Sequence, residues 1–142
     1  MSRSLDHLCP RFQPMAFELL ARCAARRVWC IVVDTLRTKE EQAELLRTGA
    51  SRTLNSLHLP QTWCRVCGHA GGLSHAMDAA PIADLNETNV VKAIQWDQRH
   101  VAWKIYGEEA KKLHLVWGGD WHWDFSHVQM PSTAYELTTR VA

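Results

Sequence analysis

Four residues define the chemistry open to this sequence: His58 in "NSLHLPQ", Asp78 in "LSHAMDAAP", and Asp124 with His127 in "WDFSH". Two imidazoles and one carboxylate suffice for a catalytic zinc ion, which takes three protein ligands and keeps a further position for water. On this reading His58, Asp78 and His127 are the ligands. Asp124 stands three positions before His127, where an irregular strand or turn can hold a carboxylate beside an ion without binding it. Zinc lowers the pKa of its water from about 16 to about 7 and polarises a carbonyl. A nearby carboxylate takes up the proton and returns it to a leaving amine, so Asp124 is the candidate base for peptide hydrolysis.

Each of these residues also has an ordinary reading. With eight histidines and fifteen acids in the chain, such trios arise by chance. His58 alone reads as a loop histidine, Asp78 as a strand-end cap, His127 as a core imidazole and Asp124 as a solvated turn carboxylate. Asp120 competes for the base role from the same Gly-Gly loop, where capping the turn is its expected task.

Positioning these residues falls to a short series of elements. "PMAFELLARCAARR" sets Met15, Leu19, Cys23 and Arg26 at helical spacing and predicts an amphipathic helix over 14–27. The β-branched run "VWCIVVD" predicts a strand buried on both faces. Thr38 and Glu41 form a capping box for the helix that "EEQAELL" continues, and Gly49 stops it. Residues 50–72 carry no period and are punctuated by Pro60 and glycines, so a long loop is expected. "LSHAMDAAPI" resumes as a strand ending at Pro81. Thr88 to Leu113 is mostly helical with a break expected near Gly107, and "HLVW" leads as a brief strand into the Asp120–Asp124 loop. This order does not alternate as a doubly wound sheet would; it predicts a small α+β domain.

The 142 residues fit one domain, 1–142, without a separate targeting or binding module. A formal charge of +1 with interspersed signs lacks the basic footprint that nucleic acid requires. No N-terminal signal pattern is evident, and the longest apolar run is too short to span a bilayer, so a soluble chain made in the cytoplasm is expected, without stable membrane association. Of the five cysteines, Cys9, Cys23 and Cys30 lie in apolar contexts and read as core thiols. Among the seven tryptophans, Trp29, Trp96 and Trp103 are expected in the core. Trp117, Trp121 and Trp123 flank the proposed site, to line a groove or to pack beneath it. His7, His100, His114 and His122 read as surface or packing residues.

Taken in order, "TLRTKEEQAELLRTGAS", "NSLHLPQ", "LSHAMDAAP" and "WGGDW...DFSHVQ" resemble the phage endolysins of the zinc D-alanyl-D-alanine carboxypeptidase and L-alanyl-D-glutamate endopeptidase family. The likeness runs from about Arg37 to Gln129. The family pattern has Ser-x-His, then a strand of small residues with an Asp, then Asp-x-x-His after a Trp-Gly-Gly turn. Ser56-Leu57-His58, Ala76-Met77-Asp78 and Asp124-Phe125-Ser126-His127 match it. The resemblance implies one catalytic Zn²⁺ held by His58, Asp78 and His127 in a central cleft of a mostly antiparallel sheet with flanking helices, with Asp124 as base. It also places Arg37 and the pair Glu41-Gln42 near substrate. Arg37 is then a catalytic or substrate-binding group, on a carbonyl oxygen or a substrate carboxylate, and Gln42 and Ser56 join it in binding substrate. The ordinary alternative for Arg37 is a surface pair with Glu40 or Glu41.

Two departures from the pattern bear on the ligand set. Twenty positions separate His58 from Asp78, more than the family has, so residues 59–72 read as an inserted rim loop; otherwise His69 or His75 is the ligand. Ser74 stands where the family has glycine. Within the insertion Cys64, Cys67 and His69 have zinc-like spacing for a second, structural ion, with a loop disulfide or free thiols as the alternatives.

The function implied is a zinc metallopeptidase, a peptidoglycan hydrolase that cuts the peptide stem between L-alanine and D-glutamate and acts as a bacteriophage endolysin in host cell lysis. A monomer is expected, waiting in the host cytoplasm and reaching the wall in the periplasm after release. The rival readings are a D-alanyl-D-alanine carboxypeptidase of the same family and a non-catalytic zinc- or peptide-binding module.

Overall fold

The apolar stripe of Ala16, Leu19 and Cys23 is fully buried and defines the inner face of α1 (Gln13–Ala25), which begins with Pro14 in its first turn. The computed structural model describes residues 1–53, 56–64 and 69–131, the side chains of 62–64 and 69–71 excepted. After α1 come β1 (Cys30–Asp34), α2 (Lys39–Arg47), β2 (Gln61–Cys64), β3 (His69–Leu73), β4 (Ala76–Pro81), α3 (Val90–Ala93), α4 (Val101–Lys112), β5 (Val116–Trp117) and β6 (His127–Gln129). The main sheet has the order β1-β4-β6-β5 with every pair antiparallel, and β2 and β3 form a separate antiparallel hairpin. The α+β expectation holds.

Side chains alternate across a strand, so the two faces of the sheet carry different chemistry. One row, Met77 opposite Val128, turns to α1 and α4 and packs with Leu19, Cys23, Trp103, Tyr106 and Ala110. The neighbouring row, Asp78 opposite His127, turns to the other face. β1 joins that row through a bulge: Val32 pairs with Ala79, yet it is Asp34, not Val33, that pairs with Asp78. An extra residue in one strand re-aims those beyond it, and here it sets Asp34, Asp78 and His127 side by side across three strands.

Several sequence expectations need correction. β1 is an edge strand and only half-buried along most of its length, because antiparallel pairing covers one side of it. The irregular loop expected over 50–72 contains the β2–β3 hairpin, whose "HAGGL" strand has no alternation by which to announce itself. The helical region breaks between Ala93 and Val101 and runs unbroken through Gly107. That glycine is there for contact: a Cβ would lie 2.4 Å from the Trp117 ring. Trp103 is buried, but Trp29 and Trp96 are about half exposed, and the Trp96 indole donates to the Val91 carbonyl at 2.7 Å. Cys9 is buried but disulfide-bonded; Cys23 and Cys30 are free thiols.

The capping box is as read. Thr38 Oγ accepts from the Glu41 amide at 3.1 Å and Glu41 accepts from the Thr38 amide at 3.0 Å. Gly49 follows α2 at φ +83°, the left-handed conformation that glycine adopts without cost. His100 caps α4 in the same manner, its ring nitrogen accepting from the Ala102 amide at 3.1 Å.

Candidate functional site

His58 belongs to no strand, yet it is fully buried, because backbone bonds dock its segment on both sides. The Arg37 amide donates to the His58 carbonyl at 2.9 Å, and the His75 amide donates to Leu57 at 2.9 Å. Ser74, the residue that departs from the family pattern, is buried. Its hydroxyl donates to the carbonyl of Ala76 at 2.7 Å and reaches that of Leu57 at 3.2 Å. The β2–β3 hairpin takes up most of the sequence between His58 and Asp78, and the two residues nonetheless meet in space.

One ligand atom from each of His58, Asp78 and His127 falls within 4.8 Å of the other two, and the three side chains can hold a metal ion. His75, the alternative to His58, is not in this group. The donor set fits a cation on chemical grounds. His58 Nδ1 lies 2.7 Å from the Thr35 carbonyl and must donate there, which leaves Nε2 with its lone pair. His127 Nε2 lies 2.8 Å from Gln129 Oε1 and donates to that amide oxygen, which leaves Nδ1 with its lone pair. Those two nitrogens face each other at 3.3 Å. Asp78 adds Oδ2 at 3.4 Å from His58 Nε2 and Oδ1 at 3.5 Å from His127 Nδ1, and Oδ1 is buried without a hydrogen-bond partner. Lone pairs so aimed repel one another unless positive charge lies between them.

The ionisable groups of the site also shift one another. Burial alone would raise the Asp78 carboxyl, but the two imidazoles overcome it and hold the group well below the usual carboxylate range. Burial would lower His127, and Asp78 and Asp124 together raise it instead. Asp124 goes the other way, pushed up by burial and then by the charge of Asp78. Its Oδ2 is 3.8 Å from His127 Nδ1, beside the trio but outside it, and its side chain faces the cleft. Asp120 neither caps the turn nor approaches the site; it pairs with Lys111 at 3.1 Å on the surface.

Arg37 makes no pair with Glu40 or Glu41. Its Nε donates to Asp34, its Nη1 to Gln42 at 3.0 Å and its Nη2 to Asp78 at 2.8 Å. Asp34 was not singled out in the sequence, although its signal was there: a carboxylate ending an apolar strand, three residues before an arginine. It is 2% exposed, and burial raises its carboxyl against the pull of Arg37. Gln42 is 1% exposed and spans Arg37, the Ser51 hydroxyl and the Thr53 carbonyl, so it braces the wall of the cleft from behind. Ser56 lines the cleft and accepts from the His58 amide at 3.1 Å. The proposed second metal group falls on Cys64, Cys67 and His69, which lie outside the residues whose side chains are described.

The Gly-Gly pair in front of the site has a steric purpose. A Cβ on Gly118 would lie 2.1 Å from the Asp124 carbonyl oxygen, and one on Gly119 would strike the Trp117 ring. Backbone cannot retreat as a flexible side chain can. Gly118→Ala is therefore expected to destabilise the chain by about 1–3 kcal/mol and to displace Asp124. Urea unfolding measures the first effect, and an unchanged midpoint would contradict the contact.

The cleft over the trio encloses about 620 Å³ and is walled by Trp96, Trp121 and Trp123 as well as by Arg37 and Asp124. Trp121 lies against His127 with ring centroids 5.3 Å apart, so the tryptophans of this loop both pack at the site and form its groove.

No protein-family model matches the chain. It is 28% identical over 144 residues to the L-alanyl-D-glutamate peptidase of Listeria phage A118, an alignment that takes in 97% of this chain and 44% of that protein. The chain thus spans less than half the length of this curated relative. In fold it is similar to the L-Ala D-Glu endopeptidase ChiX of Serratia marcescens, with a TM-score of 0.57 and 21% identity over 94% of this chain and 90% of that one. Likeness in sequence along nearly the whole chain, likeness in fold and the clustered His58, Asp78 and His127 support the family that the motifs indicated, the zinc D-alanyl-D-alanine carboxypeptidases and L-alanyl-D-glutamate endopeptidases.

Proposed function

We propose that this chain is a zinc-dependent peptidase of the bacterial peptidoglycan stem that cleaves between L-alanine and D-glutamate and serves as a phage endolysin. The observation that carries this reading is the convergence of His58, Asp78 and His127 beneath a cleft, with Asp124 at its edge. The names of the phage relative and of the Serratia enzyme support the bond assigned. Acting on the wall as an endolysin follows from the same likeness; among the described residues, no helix is long and apolar enough to cross a membrane.

In this mechanism His58 Nε2, Asp78 and His127 Nδ1 would hold the ion, with the tautomers of the two imidazoles set by the Thr35 carbonyl and the Gln129 amide oxygen. Zinc bound there would supply Lewis acidity, making water more acidic and a peptide carbonyl more electrophilic. Asp124 accepts the proton that the attacking water gives up and delivers it to the amine of D-glutamate as the bond breaks. Arg37 uses three of its five N–H donors within the fold, which leaves two directed by a fixed guanidinium for a substrate oxygen. Ser56 borders the same space.

Incubation of the zinc-loaded chain with purified muropeptides, read by mass spectrometry, tests the assignment. Separation of the stem after L-alanine is the expected result. Loss of a single terminal D-alanine would establish the carboxypeptidase instead, and intact muropeptides would leave only a binding module.

A further inference from the structure

The substrate assigned above presents a charge problem. In the stem, D-glutamate is joined onward through its side-chain carboxyl, so its α-carboxylate stays free on the carbon that bears the scissile nitrogen. The cleft that must admit this anion is already lined by Asp34, Asp78 and Asp124. Arg37, the cation at its base, is engaged by two of those three carboxylates. A zinc ion held by the trio would offset part of that charge, yet an α-carboxylate placed beside Asp124 still gains from a positive group of its own.

One stands beside the cleft, on a chain segment whose Ser51 and Thr53 line it. The guanidinium carbon of Arg52 lies 4.3 Å from the centroid of the Trp123 ring, and Trp123 directly precedes Asp124. The ring face attracts the cation and fixes its place. Arg52 is exposed and pairs with no carboxylate among the described residues, unlike Arg22, Arg26, Arg37, Arg47 and Arg99. Its backbone is held as well. The Ser51 amide bonds to the Leu45 carbonyl at 3.0 Å, and the Gln42 side chain reaches Ser51 Oγ at 2.8 Å and the Thr53 carbonyl at 2.7 Å. Gln42 therefore anchors both neighbours of Arg52 while it also orients Arg37. A fork of N–H donors pre-placed on an indole meets a carboxylate at little entropic cost.

We propose that Arg52, seated on Trp123, binds the free α-carboxylate of the D-glutamate residue and so selects stems in which that group is not amidated. This assignment rests on the peptidase reading given above. Because the contact is made before and during bond cleavage alike, it acts on KM more than on kcat.

The test uses two synthetic stem peptides that differ only in bearing D-glutamate or its α-amide, D-isoglutamine, with the zinc-loaded full chain and its Arg52→Gln and Arg52→Lys variants. The full chain is expected to cleave the acid with a kcat/KM roughly ten- to a hundredfold above that for the amide, the range of a charge-assisted hydrogen bond. Arg52→Gln is expected to lower the acid to the level of the amide through KM, with the amide rate nearly unchanged, and Arg52→Lys to restore part of the preference. The amide serves as the internal control for folding and metal loading. A variant that keeps the full preference for the acid, or that loses both substrates equally, overturns the role of Arg52 alone. A full chain that cleaves neither peptide overturns the peptidase reading and this inference with it.

Discussion

Asp124→Asn is expected to lower turnover of a stem peptide by roughly 10²–10⁴-fold, the usual contribution of a general base, while zinc is still bound. Asparagine keeps the shape of the side chain and its place against the cleft but cannot take up a proton. The fold has no reason to suffer, since burial and the neighbouring charge of Asp78 both disfavour the carboxylate at this position. Nor should metal retention fall, because Asp124 lies outside the trio of clustered ligand atoms. Steady-state kinetics paired with metal analysis of the same preparations separates the two effects. Turnover within a few-fold of the parent would remove Asp124 from the mechanism. Loss of zinc alongside turnover would recast it as a ligand.

His58→Ala is expected to abolish both metal retention and activity. The imidazole is fully buried, its orientation is fixed by the Thr35 carbonyl, and it supplies one of the three donors clustered among the described residues. Losing an outer-shell partner costs roughly 10–100-fold in metal affinity, and losing a ligand itself must cost more. A ligand that binds only the folded state raises its melting temperature. The parent chain, stripped by chelation, should therefore regain several degrees on addition of zinc, and the variant should not. This readout is independent of catalysis and also covers a variant that is less stable at the outset. A zinc-dependent rise of equal size in His58→Ala would show that the ion is held elsewhere.

Much of this was legible in the chain because it depends on neighbours in sequence. The capping box at Thr38 and Glu41 and the stop at Gly49 are local hydrogen-bond and steric matters, and both formed as read. The motif around Asp124 and His127 is similarly local, with the carboxylate and imidazole three residues apart on one turn. The gathering of His58 with Asp78 and His127 was anticipated from the order of the motifs, although the spacing to His58 departed from the family pattern.

What sequence alone did not disclose depends on contacts between distant segments. Asp34 looked like the end of an apolar strand, and only the bulge in β1 sets it level with Asp78 and in contact with Arg37. Trp29 and Trp96 read as core from their element types, yet burial is decided by what packs against a residue, and nothing covers half of either ring. Cys9 read as a thiol because pairing of cysteines is a three-dimensional fact.

Sequence by itself thus determined the kinds of group available, the local turns that present them and the class of chemistry they can perform, since these follow from residue type and short-range spacing. Tertiary structure alone decided that Gln42 is a buried brace and Arg52 a cation seated on Trp123, that Asp120 is drawn off to Lys111, and that a hairpin returns Ser74 to lock His58 beside β4. The reason is physical: side-chain distance, burial and the charge felt by each group are properties of the assembled sheet and its loops, and no window of sequence contains them.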